Sequence, residues 1–225
     1  MIRMLDKSCP SLRRVHPIGG TQTRRMGNVP KIVDHDARRL ELVEVTWRVI
    51  AKRGFDGVTL RDIAAEAGFA NGALKPYFPT RASLMRATFT HVFGRTNVRI
   101  EAATRGRTGL DALRRFAVEI LPLDEERLDE ARVVIPFWQA AIHDSELAEV
   151  NDEAMLQWRE SMRGWILEAK GQGVLRAGIL PEVAAESVLT FTLGAQVVAV
   201  LDSDFNDPSQ LLEQLDLQLL LLGSS

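Results

Sequence analysis

The stretch from Gly54 to Leu84 reads as two short helices joined by a tight turn, and nothing else in the chain constrains the fold as much. Thr59 and Asp62 form a capping box: the threonine oxygen accepts a backbone N–H left over at a helix start, and the carboxylate reaches back to the Thr59 amide. Leu60, Ile63, Ala64 and Ala67 follow at i, i+3, i+4 and i+7, one small apolar face, with Arg61, Asp62 and Glu66 left in water. Gly68 ends this helix, since a left-handed residue after a helix costs glycine little. Asn71 is placed to cap a second helix that turns Leu74 inward, closes on Tyr77 and Phe78 and stops at Pro79. Pro76 removes one of its backbone hydrogen bonds and crowds the preceding turn, at about 3 kcal/mol in a regular helix. The second helix is therefore expected to be short or to end irregularly. Two helices around a turn of this kind form a DNA-reading device.

Charge along the chain points the same way. The formal net charge is only −2, yet residues 1–107 hold 20 lysines and arginines against 9 acids, and residues 108–225 hold 8 against 21. A basic first half suits a polyanion, because each neutralised phosphate releases counterions and adds affinity for any sequence. The acidic second half is repelled from DNA and must serve another purpose. Taken alone, such a split also describes a merely solvated surface. The only cysteine, Cys9, leaves no intramolecular disulfide, which suits a reducing, cytoplasmic setting. No run approaches 18 apolar residues, so the chain does not read as a membrane protein.

Gly54, Phe55, Thr59, Ile63, Ala64, Ala67, Gly68, Gly72, Leu74, Tyr77, Phe78 and Leu84, in this order and spacing, resemble the TetR family of one-component bacterial repressors. The resemblance is sharp over residues 36–96 and fainter beyond. It implies an all-α fold, with an N-terminal three-helix DNA-binding domain followed by a larger helical domain for ligand binding and dimerisation. It also implies that the second motif helix lies in the major groove, with Thr59, Arg61, Asn71, Gly72, Ala73, Lys75, Tyr77 and Arg81 as the contact set. Each residue suits that work: Lys75 and Asn71 donate to base edges, the Thr59 and Tyr77 hydroxyls reach phosphate oxygens, and Gly72 permits close backbone approach. Arg61 and Arg81 also read as ordinary solubilising charges. Two positions depart from the family pattern: Ala70 stands where a hydroxyl residue is usual, and Lys75 where a tyrosine is usual.

Beyond the motif the chain reads as helix after helix. A first helix is expected after Asp34, with Leu40, Val43, Trp47, Ile50 and Ala51 inward, and a fourth from Thr80 with Leu84, Met85, Thr88, Phe89, Val92 and Phe93 along one stripe. Further helices are expected at about 109–121, 125–142, 145–171, 181–201 and 208–222, punctuated by Pro122, Pro136, Gly171, Gly173, Gly178, Pro181 and Pro208. Residues 1–30 are broken by Pro10, Pro17, Gly19, Gly20 and Gly27 and read as a disordered basic tail, either an extension ahead of a start near Met26 or a flexible DNA-contacting arm. The domain organisation is then a tail over 1–30, a DNA-binding domain over 31–82 with its motif at 59–78, and an effector-binding and dimerisation domain over 83–222.

The second half holds three of the four tryptophans. Met155, Trp158, Met162 and Trp165 fall on one helical stripe, and with Phe89, Phe93, Phe137 and Trp138 they form either plain core or the wall of a cavity for an apolar or cationic molecule. Spacing does not separate the two. The runs Phe137-Trp138-Gln139-Ala140-Ala141 and Gln157-Trp158-Arg159 resemble the regulatory domain of BetI-type members of the family, which implies an effector site. Residues 183–201 and 208–222 are too apolar for helices with one wet face, and Val188, Phe191, Gly194, Ala195, Val198, Leu212, Leu215 and Leu219 are candidates for pairing with a second copy or for burial within one subunit. His143, Asp144 and Glu146 read as wet surface rather than a metal site. No phosphate loop, nucleophile elbow, metal site or cofactor motif stands out, and the chain does not read as an enzyme. The leading expectation is a homodimeric repressor that leaves a near-palindromic operator when a small effector binds. A helical small-molecule binder or enzyme whose basic half meets another partner is the alternative, and a helix-turn-helix protein without any effector is the third reading.

Overall fold

The computed structural model describes residues 35–54, 58–70, 72, 74–201 and 207–223. Among them run eight helices: α1 (His35–Arg53), α2 (Leu60–Glu66), α3 (Arg81–Thr104), α4 (Gly109–Ile120), α5 (Glu125–Ala141), α6 (Ser145–Gly171), α7 (Pro181–Leu201) and α8 (Pro208–Leu222). The five C-terminal helices begin and end within a residue of the expected limits, and three of their starts carry side-chain caps. Asp124 accepts the Arg127 amide at 2.9 Å, Asp144 accepts the Glu146 and Leu147 amides, and Asp207 accepts the Ser209 amide at 2.8 Å. Asp144 is thus occupied as a cap. The basic tail over residues 1–30 lies outside the described residues.

One expectation about the helices fails, in α1. Leu40 is 49% exposed, while Leu42, Val45, Thr46 and Val49 are buried beside Val43, Ile50 and Ala51; Trp47 is only half-buried. Alpha1 is covered on two faces, so a single narrow stripe misplaced its inward residues. In α5, Pro136 lies within the expected helix, which runs on to Ala141. Proline there costs a backbone hydrogen bond, but Phe137 beside it is wholly buried and anchors the continuation.

Two hydrophobic clusters organise the molecule. Leu42, Val43, Val45 and Val49 of α1 meet Val58, Ile63, Ala64, Leu74, Phe78 and Leu84 in the smaller one. The larger gathers Met85, Phe89, Val92 and Ile100 of α3 with Leu113, Phe116 and Ile120 of α4, Phe137 of α5, Met155, Trp158, Met162 and Ile166 of α6, and Val188, Leu189, Leu215 and Leu219 from α7 and α8. Alpha3 therefore enters both: Leu84 in its first turn belongs to one core and Met85 onward to the other. The capping box of Thr80 with Ser83, with Ser83 N–H donating to Thr80 Oγ1 at 3.0 Å, fixes where that helix starts.

Alpha7 has the length and mean hydropathy, 1.6, of a membrane span. Its polar residues are placed for protein packing instead: Glu186 pairs with Arg159 of α6 at 2.7 Å, Glu182 with Arg163 at 2.7 Å, and Thr192 and Gln196 are buried. Arg114 of α4 holds Asp216 of α8 through two hydrogen bonds, at 2.6 and 3.0 Å. One antiparallel bridge, Leu175 with Gly223, ties the end of α8 to the turn after α6.

Candidate nucleic-acid interface and effector cavity

The reading head is built on α2. Thr59 N–H donates to Asp62 Oδ2 at 2.8 Å, the Asp62 amide donates to Thr59 Oγ1 at 3.2 Å, and Thr59 Oγ1–H donates to Asp62 Oδ2 at 2.5 Å. The Thr59 side chain and amide hold the Asp62 carboxyl below its ordinary value. The hydroxyl proton of Thr59 is therefore already committed within the box. Gly68, at φ +72°, turns the chain after α2, with Phe69 N–H donating to Ala64 O at 2.8 Å.

The segment after the turn is no regular helix. Its described residues form successive turns, with Lys75 N–H donating to Gly72 O at 3.2 Å and Phe78 N–H to Leu74 O at 2.8 Å. Gly72 at φ +87° is incompatible with a right-handed helix there, Ala70 brings no capping hydroxyl, and Pro76 has no amide hydrogen to donate. Burial decides which side faces out. Leu74 and Phe78 are sunk in the small core, which leaves Gly72, Lys75 and Pro76 exposed. Arg61, Gly72 and Lys75 come together around a shallow concavity of about 400 Å³ floored by Leu60 and Leu74. Tyr77 is not simply presented outward: its ring stacks on His35 at 4.4 Å between centroids, a partner the sequence did not reveal. Arg81 lies exposed at the start of α3. Asn71 and Ala73 lie outside the described residues.

Of the residues weighed for a cavity, Phe89, Phe93, Trp138, Met155 and Trp158 do line one, a small space of about 30 Å³ completed by Val92, Thr96, Ile120, Glu130, Val134, Leu193 and Gln196. Phe137 and Met162 pack wholly inside the core, Phe137 against Phe89 at 3.8 Å, and Trp165 packs on Phe116 away from the space. Trp158 stands edge-on to Phe116, and its Nε1–H donates to Asn97 Oδ1 at 2.8 Å. The polar wall residues were not foreseen. Glu130 takes two hydrogen bonds from Arg99, at 2.8 and 2.7 Å, and one from Thr96 at 3.2 Å, while Arg99 and Arg127 share Glu119. Glu130 sits in a run of charged residues and so reads as surface. Gln196, a lone amide in the apolar run of α7, was the one legible signal.

Among the candidates for contact with a second copy, Val188, Leu215 and Leu219 are buried within the subunit, and Phe191, Ala195 and Leu212 are half-buried. Gly194 and Val198 are exposed, on the stripe that continues to Leu201. Leu217, Leu220 and Leu221 of α8 are exposed as well.

Residues 42–88 match the family described as bacterial regulatory proteins, tetR family, and residues 109–221 match the BetI-type transcriptional repressor C-terminal family. The transcriptional regulator PksA of Bacillus subtilis is 30% identical over 175 residues, 77% of this chain and 84% of PksA. The chain belongs to the TetR family. As a TetR-family regulator it also resembles BetI of Burkholderia ambifaria, 28% identical over 131 residues, 53% of this chain and 62% of BetI. In fold, this TetR-family chain is similar to a transcriptional regulator of Rhodococcus, with a TM-score of 0.74, 24% identity and coverage of 82% and 95% of the two chains. A regulator from Saccharomonospora viridis, solved in complex with choline, gives a TM-score of 0.79 at 19% identity and covers 84% and 100%.

Proposed function

We propose that this TetR-family protein acts in the cytoplasm as a homodimeric repressor that binds a near-palindromic operator and is released from it by a small apolar or cationic effector. The observation that carries this reading is the continuity of α3, a single helix of 24 residues. Leu84 at its start packs in the core of the reading head, and Phe89, Phe93 and Thr96 further along wall the cavity. A molecule that enters the cavity and shifts α3 also shifts the head, and in a dimer that changes the spacing of two heads matched to half-sites about one helical turn apart or a small multiple. A tenfold loss of DNA affinity needs only about 1.4 kcal/mol of differential binding between the two states. The Saccharomonospora viridis regulator bound to choline supports a small-molecule effector.

On the head, Arg61 and Lys75 are exposed around the same concavity, with Lys75 the base-reading group and Arg81 a phosphate contact. For pairing, Gly194, Val198 and Leu201 at i, i+4 and i+7 form an apolar stripe on α7, and Leu217, Leu220 and Leu221 form another on α8. Light scattering of the full chain with and without duplexes selected from a random library tests the reading. A dimer whose duplex affinity falls linearly in log salt, and falls further with an effector, is expected. Monomer only, at micromolar concentration in both states, sinks it.

A further inference from the structure

The cavity between α3, α5, α6 and α7 holds one polar group whose bonding is incomplete. Gln196 is 7% exposed, and its Nε2–H donates to the Ile120 carbonyl at 2.8 Å. A carbonyl can only accept, so the amide is fixed with nitrogen toward α4. Its Oε1 is then an acceptor, buried and without a donor among the described residues, on a residue of the cavity wall. Buried polar groups are almost always partnered, so this one marks a place where a donor belongs.

The remaining polar wall settles the charge of that donor. Among the described residues Glu130 is the one acid lining the space, and the guanidinium of Arg99 already meets both its oxygens. A cation entering here loses its hydration and finds the carboxylate neutralised. Apart from Thr96, whose hydroxyl is engaged by Glu130, the rest of the wall is aromatic, aliphatic or the thioether of Met155. We infer that the cavity selects an uncharged apolar molecule carrying one hydroxyl or N–H donor, a phenol- or alcohol-like ligand, and that Gln196 Oε1 receives that donor. The inference rests on the cavity being the effector site and narrows the ligand class there. The present space of about 30 Å³ is water-sized, so such a ligand enters by displacing the half-buried Phe93, Trp138 and Leu193.

Calorimetric titration of the full chain with phenol, anisole, toluene and phenyltrimethylammonium tests it. Phenol alone carries a donor without a charge, and it is expected to bind at least about tenfold more tightly than each of the others, since a site built for a hydrogen bond rejects analogues that lack it. In Gln196→Met the preference for phenol over toluene is expected to shrink to within about twofold. Because methionine also strips the Ile120 carbonyl of its donor, the ratio of phenol to anisole in the unaltered protein decides the matter if the variant does not fold. Phenol binding no tighter than anisole or toluene, a preference for the cation, or no phenol binding at millimolar concentration overturns the inference. The same probes added to a protein–duplex complex separate the two readings. Selective phenol binding without DNA release supports Gln196 as the reader and defeats the effector role; release by anisole and toluene as readily as by phenol does the reverse.

Discussion

At the scale of single residues, the reading head depends on a hydrogen-bonded pair, Thr59 with Asp62. The carboxyl of Asp62 is held below its ordinary 3.8 by the Thr59 side chain and amide, so it stays ionised and capping down to more acidic pH than a free aspartate. A depressed carboxyl contributes stability that is fully present above its unfolded value and is lost as pH falls through its folded value. Acid titration followed by backbone amide shifts of α2 should therefore show the start of this helix fraying below pH 3.8, and in Asp62→Asn that titration should vanish. Lys75 is exposed beside Gly72 on the outward side of the head. Replacing it with alanine should cost about 1–3 kcal/mol on the preferred operator and flatten base preference, whereas Arg81→Ala should weaken binding to every duplex alike. Equal losses across an operator panel for Lys75→Ala would remove it from base reading.

Among the elements, α3 contributes side chains to both hydrophobic cores. Gly94 lies in the middle of this helix, exposed, with nothing within 4 Å of a Cβ placed on it. Glycine inside a helix is less stable than alanine, so Gly94→Ala should raise the unfolding free energy by about 0.5–1 kcal/mol, measured by urea denaturation. A fall in stability would show that the position needs glycine for a reason other than helix propensity. The clamp of Arg99 on Glu130 and Glu119 ties α3 to α5 and α4. Glu130 is 5% exposed, so Glu130→Ala should cost about 3–5 kcal/mol by leaving Arg99 without its main partner, while cutting the outer pair with Glu186→Gln should cost less than about 1 kcal/mol. The segment from Gly72 to Phe78 illustrates how much of an element a sequence discloses. Pro76 signalled a short helix or an irregular end; that it would be a series of turns followed from the left-handed Gly72 and the burial of Leu74 and Phe78.

For the whole molecule, the charge split and the two apolar stripes make one argument. Basic residues cluster in the half that carries the head, and the exposed apolar side chains Val198, Leu201, Leu217 and Leu220 lie at the opposite end of the sequence, in α7 and α8. Val198 is 55% exposed, so Val198→Arg adds a charge without entering the subunit's core. In the proposed dimer it should leave the melting of each subunit nearly unchanged and drive sedimentation toward monomer. A variant that stays dimeric would place the pairing surface elsewhere. Val188→Arg, by contrast, puts a charge at a fully buried site and should unfold the larger core.

Outside the segment from Gly72 to Phe78, the order and limits of the helices, the capping boxes at Thr59 and, as it proved, Thr80, and the TetR resemblance are local properties. Caps, turn glycines and short-range periodicity act between residues close in the chain, so the sequence alone determined them. The choice between core and cavity was not local. Phe89, Phe93, Trp138, Met155 and Trp158 differ from Phe137, Met162 and Trp165 only in what faces them from other helices, and spacing along one helix carries no information about that. Glu130 and Gln196 became wall residues, and Leu40 became surface, through packing between helices far apart in sequence. Only the tertiary structure brings Arg99 to Glu130 and leaves Gln196 Oε1 without a donor among the described residues.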